Sequence, residues 1–167
     1  PKRHDLSHPT VEVGGADSDY ALVRTTLVEA AAGSGTYVDR VENGEPLAFR
    51  KEWLSKIGIA AEKAVLLRAR GDSMQPLIWD GDMLLIDTSR TSPRVRPPGR
   101  KFPGAPNDEI FVLRMDDDLR VKLIKRPAED HVMIYSENQR LFDPEILTGE
   151  QLSRLTIIGK VVWYGHV

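Results

Sequence analysis

A chain of 167 residues, 41% hydrophobic and 29% charged, can bury one real core and has the balance of a soluble globular domain. It has no cysteine, which excludes disulfides and thiolate metal sites and fits a reducing, cytoplasmic setting. The net charge of −2 lacks the basic excess of a DNA-binding domain, and no signal-peptide core or membrane-length apolar run is present.

Residues 1–19 are polar, carry Pro9, Gly14 and Gly15, and read as a linker or arm. The chain starts at Pro1 rather than Met, so it is expected to belong to something longer. YALVRTTLV (20–28) is β-branched and apolar, a strand, and the small residues of AAAGSG (30–35) break it. TYVDRVE (36–42) reads as a further strand. In PLAFRKEWLSKI (46–57), Phe49, Trp53, Leu54 and Ile57 share one helical face, with Pro46 in the first turn and Gly58 as the stop. Core packing is the expected role of those two aromatics.

AVLLRAR (64–70) is a strand that feeds the turn Gly71-Asp72-Ser73-Met74, and MLLID (83–87) is a buried strand. Residues 88–108 hold five of the 11 prolines together with Arg90, Arg94, Arg96, Arg100 and Lys101. Such a segment cannot sit inside a sheet and reads as a long solvated basic loop. EIFVLRM and LRVKLIKR flank the acidic turn 116–118 as a hairpin, HVMIYSEN (131–138) is a strand, and DPEILTGEQL (143–152) holds a turn or short helix. LTIIGKVVWYGHV closes the chain as a strand bulged at Gly159. The class is mainly β, with many short strands.

The chemistry-bearing residues are few. His4, His8, His131 and His166 show no metal spacing, and three of them lie in chain ends, so no metal site and no His-based triad is expected. Phosphate-binding glycine loops are absent. Arg70-Gly71-Asp72 matches an adhesion tripeptide, but nothing accompanies it that marks secretion. Ser73 stands at a tight strand exit, where neighbouring N–H groups can converge as an oxyanion hole; a turn serine is the plainer alternative. A serine nucleophile needs a base. With histidine set aside, a desolvated lysine is the other candidate. Lys122, inside the apolar run LRVKLIK, suits that role better than Lys51, Lys56 or Lys101, although period-two alternation also allows it to point outward with Arg120.

GDSMQPLIWDGDMLLID closely resembles the nucleophile segment of the LexA-like self-cleaving peptidases, through Gly71, Ser73, Met74, Pro76, Gly81-Asp82 and the strand after them. RVKLIKR is similar to the block that carries their general-base lysine, with Lys122 in its place, and SENQRLFDPEIL and IIGKVVWYG resemble the blocks that follow. The resemblance runs from about Leu22 to the C-terminus. The Pro-rich loop makes the interval between serine and lysine longer than in compact members.

The resemblance implies a LexA-like peptidase fold over 20–167 with one or two short helices. It implies a Ser73 nucleophile, a Lys122 base, oxyanion donors at the backbone of Asp72 and Ser73, and self-cleavage between Ala32 and Gly33. It implies no cofactor. It also implies a cytoplasmic, phage-type or SOS-type repressor that dimerises, reaches operator DNA through an N-terminal domain, and answers to a RecA filament on single-stranded DNA after DNA damage. Two rivals stay open: a UmuD-like polymerase accessory protein, and a non-catalytic dimerisation or sensor module.

Overall fold

The computed structural model describes residues 12–13, 19–30, 42–96, 109–116 and 118–166, with the backbone alone at 12–13, 26–30 and 42–44. In chain order the strands are β1 (Glu12–Val13), β2 (Tyr20–Ala30), β3 (Glu42–Arg50), β4 (Ala64–Ala69), β5 (Met83–Asp87), β6 (Glu109–Met115), β7 (Asp118–Ala128), β8 (His131–Tyr135), β9 (Glu145–Thr148) and β10 (Leu155–Gly165). Helix α1 (Lys51–Lys56) follows β3, and α2 (Glu150–Ser153) follows β9. The strands form one ten-stranded sheet in the order β1-β2-β4-β5-β10-β6-β7-β8-β9, with β3 on the free side of β2. All pairs are antiparallel except β2 with β4.

Alternation divides the core. Val65 and Leu67 of β4, with Leu84 and Ile86 of β5, face a cluster that also holds Met74, Ile78, Val121 and Tyr135. Their neighbours Ala64, Leu66, Met83 and Leu85 face the opposite cluster, under Leu54 of α1. Side chains of successive strand residues point to opposite faces, so β4 and β5 are apolar throughout because both faces are covered. Phe111, Leu113 and Ile124 build a third cluster under β8 and β9. Burying Phe111 alone, 1% exposed, contributes about 2–3 kcal/mol.

The helix expected over 46–57 is shorter than the pattern suggests. Residues up to Arg50 pair with β2, as in Phe49↔Ala21 and Leu47↔Val23, and α1 begins only at Lys51. The register shifts between Val23 and Thr25, and Pro46 falls in that irregularity on an outer strand, where a missing N–H is tolerated. Phe49 and Trp53 do pack together, stacked with centroids 5.5 Å apart, and Gly58 ends the helix at φ +75°. DPEILTGEQL supplies both a strand, β9, and the short α2. The hairpin at 109–126 and a register shift at Gly159 match the sequence pattern, and the strand expected over 131–138 stops at Tyr135, before Ser136, Glu137 and Asn138. Within the arm expected at 1–19, Glu12 and Val13 pair with Leu22 and Ala21. Most of TYVDRVE and residues 97–108 of the Pro-rich loop lie outside the described residues, as does Ala32-Gly33.

Candidate active site

The loop from Arg70 to Asp82 is clamped at its neck. Ala69 N–H donates to Asp82 O and Gly81 N–H donates to Ala69 O, both at 2.8 Å. Gly71 turns the chain at φ +83°, a region glycine enters without steric cost, and its N–H donates to Asp80 Oδ1 at 2.8 Å. Asp82 receives the Trp79 N–H at 2.8 Å. Met74 and Ile78 anchor the loop in the core, and Gln75-Pro76 is cis. The hydrogen bonds and the two core contacts hold Ser73, only 2% exposed, at the head of the loop.

Lys122 lies midway along β7. Residues 121–124 of that strand are all buried, so the outward orientation that alternation allowed is not adopted, and Lys122 is 7% exposed. Ser73 and Lys122 line one small pocket with Ala69, Gly71, Met74, Ile78 and Arg120. The Lys122 amine donates to Ser136 Oγ at 2.8 Å and lies 5.2 Å from the centroid of the Phe142 ring. No hydrogen bond joins it to Ser73 among the described residues; such contacts often tighten only when substrate is seated. Burial, and then the Arg120 guanidinium, lower the Lys122 pKa from its ordinary 10.5 to about 8, against the opposing pull of Glu145, Asp118 and Asp72.

The chain after β8 closes over the pair. Asn138 N–H donates to Ser73 O at 2.9 Å, and Asn138 Nδ2 reaches Asp72 O at 3.3 Å. Sequence reasoning noted the SENQRLF block as a likeness and missed what its members touch. A polar Ser-x-Asn directly after an apolar strand was the available signal. Arg120 was missed as a pocket residue, because its place two residues before Lys122 marks only a shared strand face. His131 bonds Asp130 at the surface, 2.8 Å away, and does not line the pocket. His166 bonds Asp82 at 2.7 Å. Among the described residues no cluster of three or more His, Asp or Glu forms a metal site, and no helix is long and apolar enough to cross a membrane.

A buried lysine whose pKa is lowered toward the neutral range, in one pocket with a turn serine, has the chemistry of a proton acceptor. The chain is 29% identical over 142 residues to an HTH-type transcriptional regulator of Haemophilus influenzae, covering 83% of this chain and 53% of that protein. It is 29% identical to the HTH-type transcriptional regulator PrtR of Pseudomonas aeruginosa, over 84% of this chain and 51% of PrtR. It is 30% identical to the repressor protein CI of Enterobacteria phage phi80, over 82% of this chain and 52% of CI. The chain thus spans about half the length of the relatives it matches. The model of the Peptidase S24-like family matches residues 22–162, most of the sequence and both pocket blocks, and the chain belongs to that family.

Proposed function

We propose that residues 20–167 are the self-cleaving, dimerising C-terminal domain of a cytoplasmic transcriptional repressor, with residues 1–19 as the linker from an N-terminal DNA-binding domain. Ser73 is the nucleophile and Lys122 the general base. The observation that carries this reading is the buried Lys122 amine, lowered to about 8 in the pocket that also holds Ser73. A buried lysine costs stability while it is charged, and a pKa displaced in this way within a pocket marks a group suited to proton transfer.

In the proposed reaction, neutral Lys122 takes the Ser73 proton and Oγ attacks the Ala32 carbonyl carbon. The Asp72 and Ser73 N–H groups receive the oxyanion. The tetrahedral adduct collapses, the Gly33 amine leaves with the proton from Lys122, and water then releases the acyl group from Ser73. Small residues on both sides of the bond suit entry into a narrow site. The parallel pairing of β2 with β4 supports delivery by the same chain, since it ends with Ala30 beside Ala69, a wall of the pocket. Local concentration then replaces substrate binding.

Cleavage would part the dimerising domain from the DNA-binding one and lower operator occupancy, since paired half-sites require a joined dimer. That the relatives are HTH-type regulators and a repressor favours this over a polymerase accessory role. The RecA filament on single-stranded DNA is the proposed inducer, raising the population of the docked state.

The test is the intact mass of the chain at neutral and alkaline pH, beside Ser73→Ala and Lys122→Ala. Two fragments split between Ala32 and Gly33, absent from both variants, are expected. A chain that stays whole in alkali and with activated RecA filament would leave a non-catalytic dimerisation module.

A further inference from the structure

The segment after β8 touches both halves of the pair. In the antiparallel ladder of β7 with β8, Leu123 stands opposite Tyr135, and one step on in that register Ser136 stands opposite Lys122. Ser136 is 2% exposed, and its Oγ takes a hydrogen bond from the Lys122 amine at 2.8 Å. Two residues later Asn138 holds the backbone carbonyls of Ser73 and Asp72. The Phe142 ring lies over the same amine. One short stretch thus holds the lysine at one end and the serine turn at the other.

We infer that Ser136 is a positioning residue for Lys122, accepting one amine hydrogen so that the nitrogen lone pair is turned toward Ser73. This rests on Lys122 acting as the base. A neutral amine carries two hydrogens and one lone pair, and on a flexible four-carbon stem it points nowhere in particular unless a partner holds it. A hydroxyl suits the task because it is uncharged. A carboxylate in its place would form an ion pair, favour the ammonium and empty the pocket of free base near neutrality. The charged groups that act on Lys122 are Arg120 and Asp118 on its own strand, Glu145 on β9 and Asp72 on the serine turn. Arg120 already binds Asp118 and Glu145, at 2.7 and 3.0 Å, so those carboxylates are partly spoken for and Ser136 is the group in direct contact with the amine.

Three variants of the chain test this: Ser136→Ala, Ser136→Thr and Ser136→Asp. Cleavage is followed by mass against pH. In parallel, the Lys122 side chain is titrated by NMR on selectively labelled lysine in a Ser73→Ala background, which stays intact. Alanine is expected to slow cleavage about a hundredfold, the scale of a misplaced reacting group, at every pH. Threonine, which keeps the hydroxyl, should restore most of the rate. Aspartate should carry the Lys122 titration and the rate profile upward by about a pH unit or more.

Cleavage of Ser136→Ala at the original rate would overturn the inference. So would a slow alanine variant that threonine does not rescue, because that is the mark of packing alone. If the aspartate variant fails to fold, the alanine and threonine pair still decides the matter. If the unaltered chain never breaks, the proposed function falls and the titration decides separately. A Lys122 signal that moves with Ser136→Asp supports the contact, and one that does not move overturns it.

Discussion

Ala30, the last residue of β2, stands beside Ala69, the last residue of β4, at the end of the sheet's parallel ladder. Both strands therefore leave the sheet on the same side. β4 continues into the turn that carries Ser73, and β2 continues toward Ala32-Gly33, two residues beyond its end. Under the proposed self-cleavage, delivery within one chain would make the reaction first order. Diluting the protein about a hundredfold should leave the fraction cut per hour unchanged, because local concentration supplies the substrate. A rate that falls with dilution would mean that one chain cuts another.

Lys122 should set the pH dependence. Its pKa is lowered to about 8, chiefly by burial, and only a neutral amine can accept a proton, as the proposed reaction requires of it. Below that point the neutral fraction rises about tenfold per pH unit, and above it the rate should level off. Lys122→Arg should be inactive throughout, since a guanidinium cannot be deprotonated in this range. A flat profile from pH 6 to 10, read from single-turnover cleavage, would remove Lys122 from the proton transfer.

The same lysine should destabilise the fold near neutrality. Its folded pKa, about 8, lies below the ordinary 10.5, so between those values the unfolded chain binds more protons and stability rises with pH. Below about 8 the native state must carry a buried ammonium, a cost on the order of 3 kcal/mol before the Ser136 hydrogen bond is set against it. Lys122→Met keeps the length and removes the charge. It should raise the melting temperature at pH 7, with an advantage that shrinks steadily from pH 8 to 10.5. An unchanged or lower melting temperature at pH 7 would show that Lys122 is well solvated in the native state.

Much of this arrangement is legible in the sequence where local chemistry decides it. Gly71 and Gly81, both at positive φ, frame a loop whose length is fixed by backbone bonds at its neck, and MLLID reads as a strand because both of its faces are buried. The limits are equally physical. Phe49, Trp53, Leu54 and Ile57 share a helical period, yet pairing with β2 claims the chain through Arg50. Periodicity cannot register a partner strand that lies more than 20 residues away in the sequence. Lys122 looked divisible between two faces because alternation assumes one solvated face, and β7 has none from Val121 to Ile124. Ser136 escaped notice for a related reason. A serine after a strand is ordinary, and only the β7–β8 register sets it opposite the lysine.

Gly159 gives a test of the sheet itself. It lies at the irregularity where β10 passes β6, with the register shifting between Ile157 and Gly159. A Cβ built there would stand 2.6 Å from the Asp87 carbonyl oxygen and 2.7 Å from Ile86 Cγ2. The first of these is backbone in the fully buried β5, so it cannot swing aside as a side-chain tip could. Gly159→Ala should therefore cost about 1–3 kcal/mol by overpacking, read as a lower urea midpoint. Gly149→Ala is the useful contrast, for a Cβ there meets nothing within 4 Å and the cost is only that of holding alanine at φ +53°. The two losses should differ in kind. Alanine at 159 should loosen the amides of the β5–β10 ladder in hydrogen exchange, while alanine at 149 should leave them protected. Equal protection of that ladder in both variants would mean that β5 and β10 do not approach as closely as 2.6 Å implies.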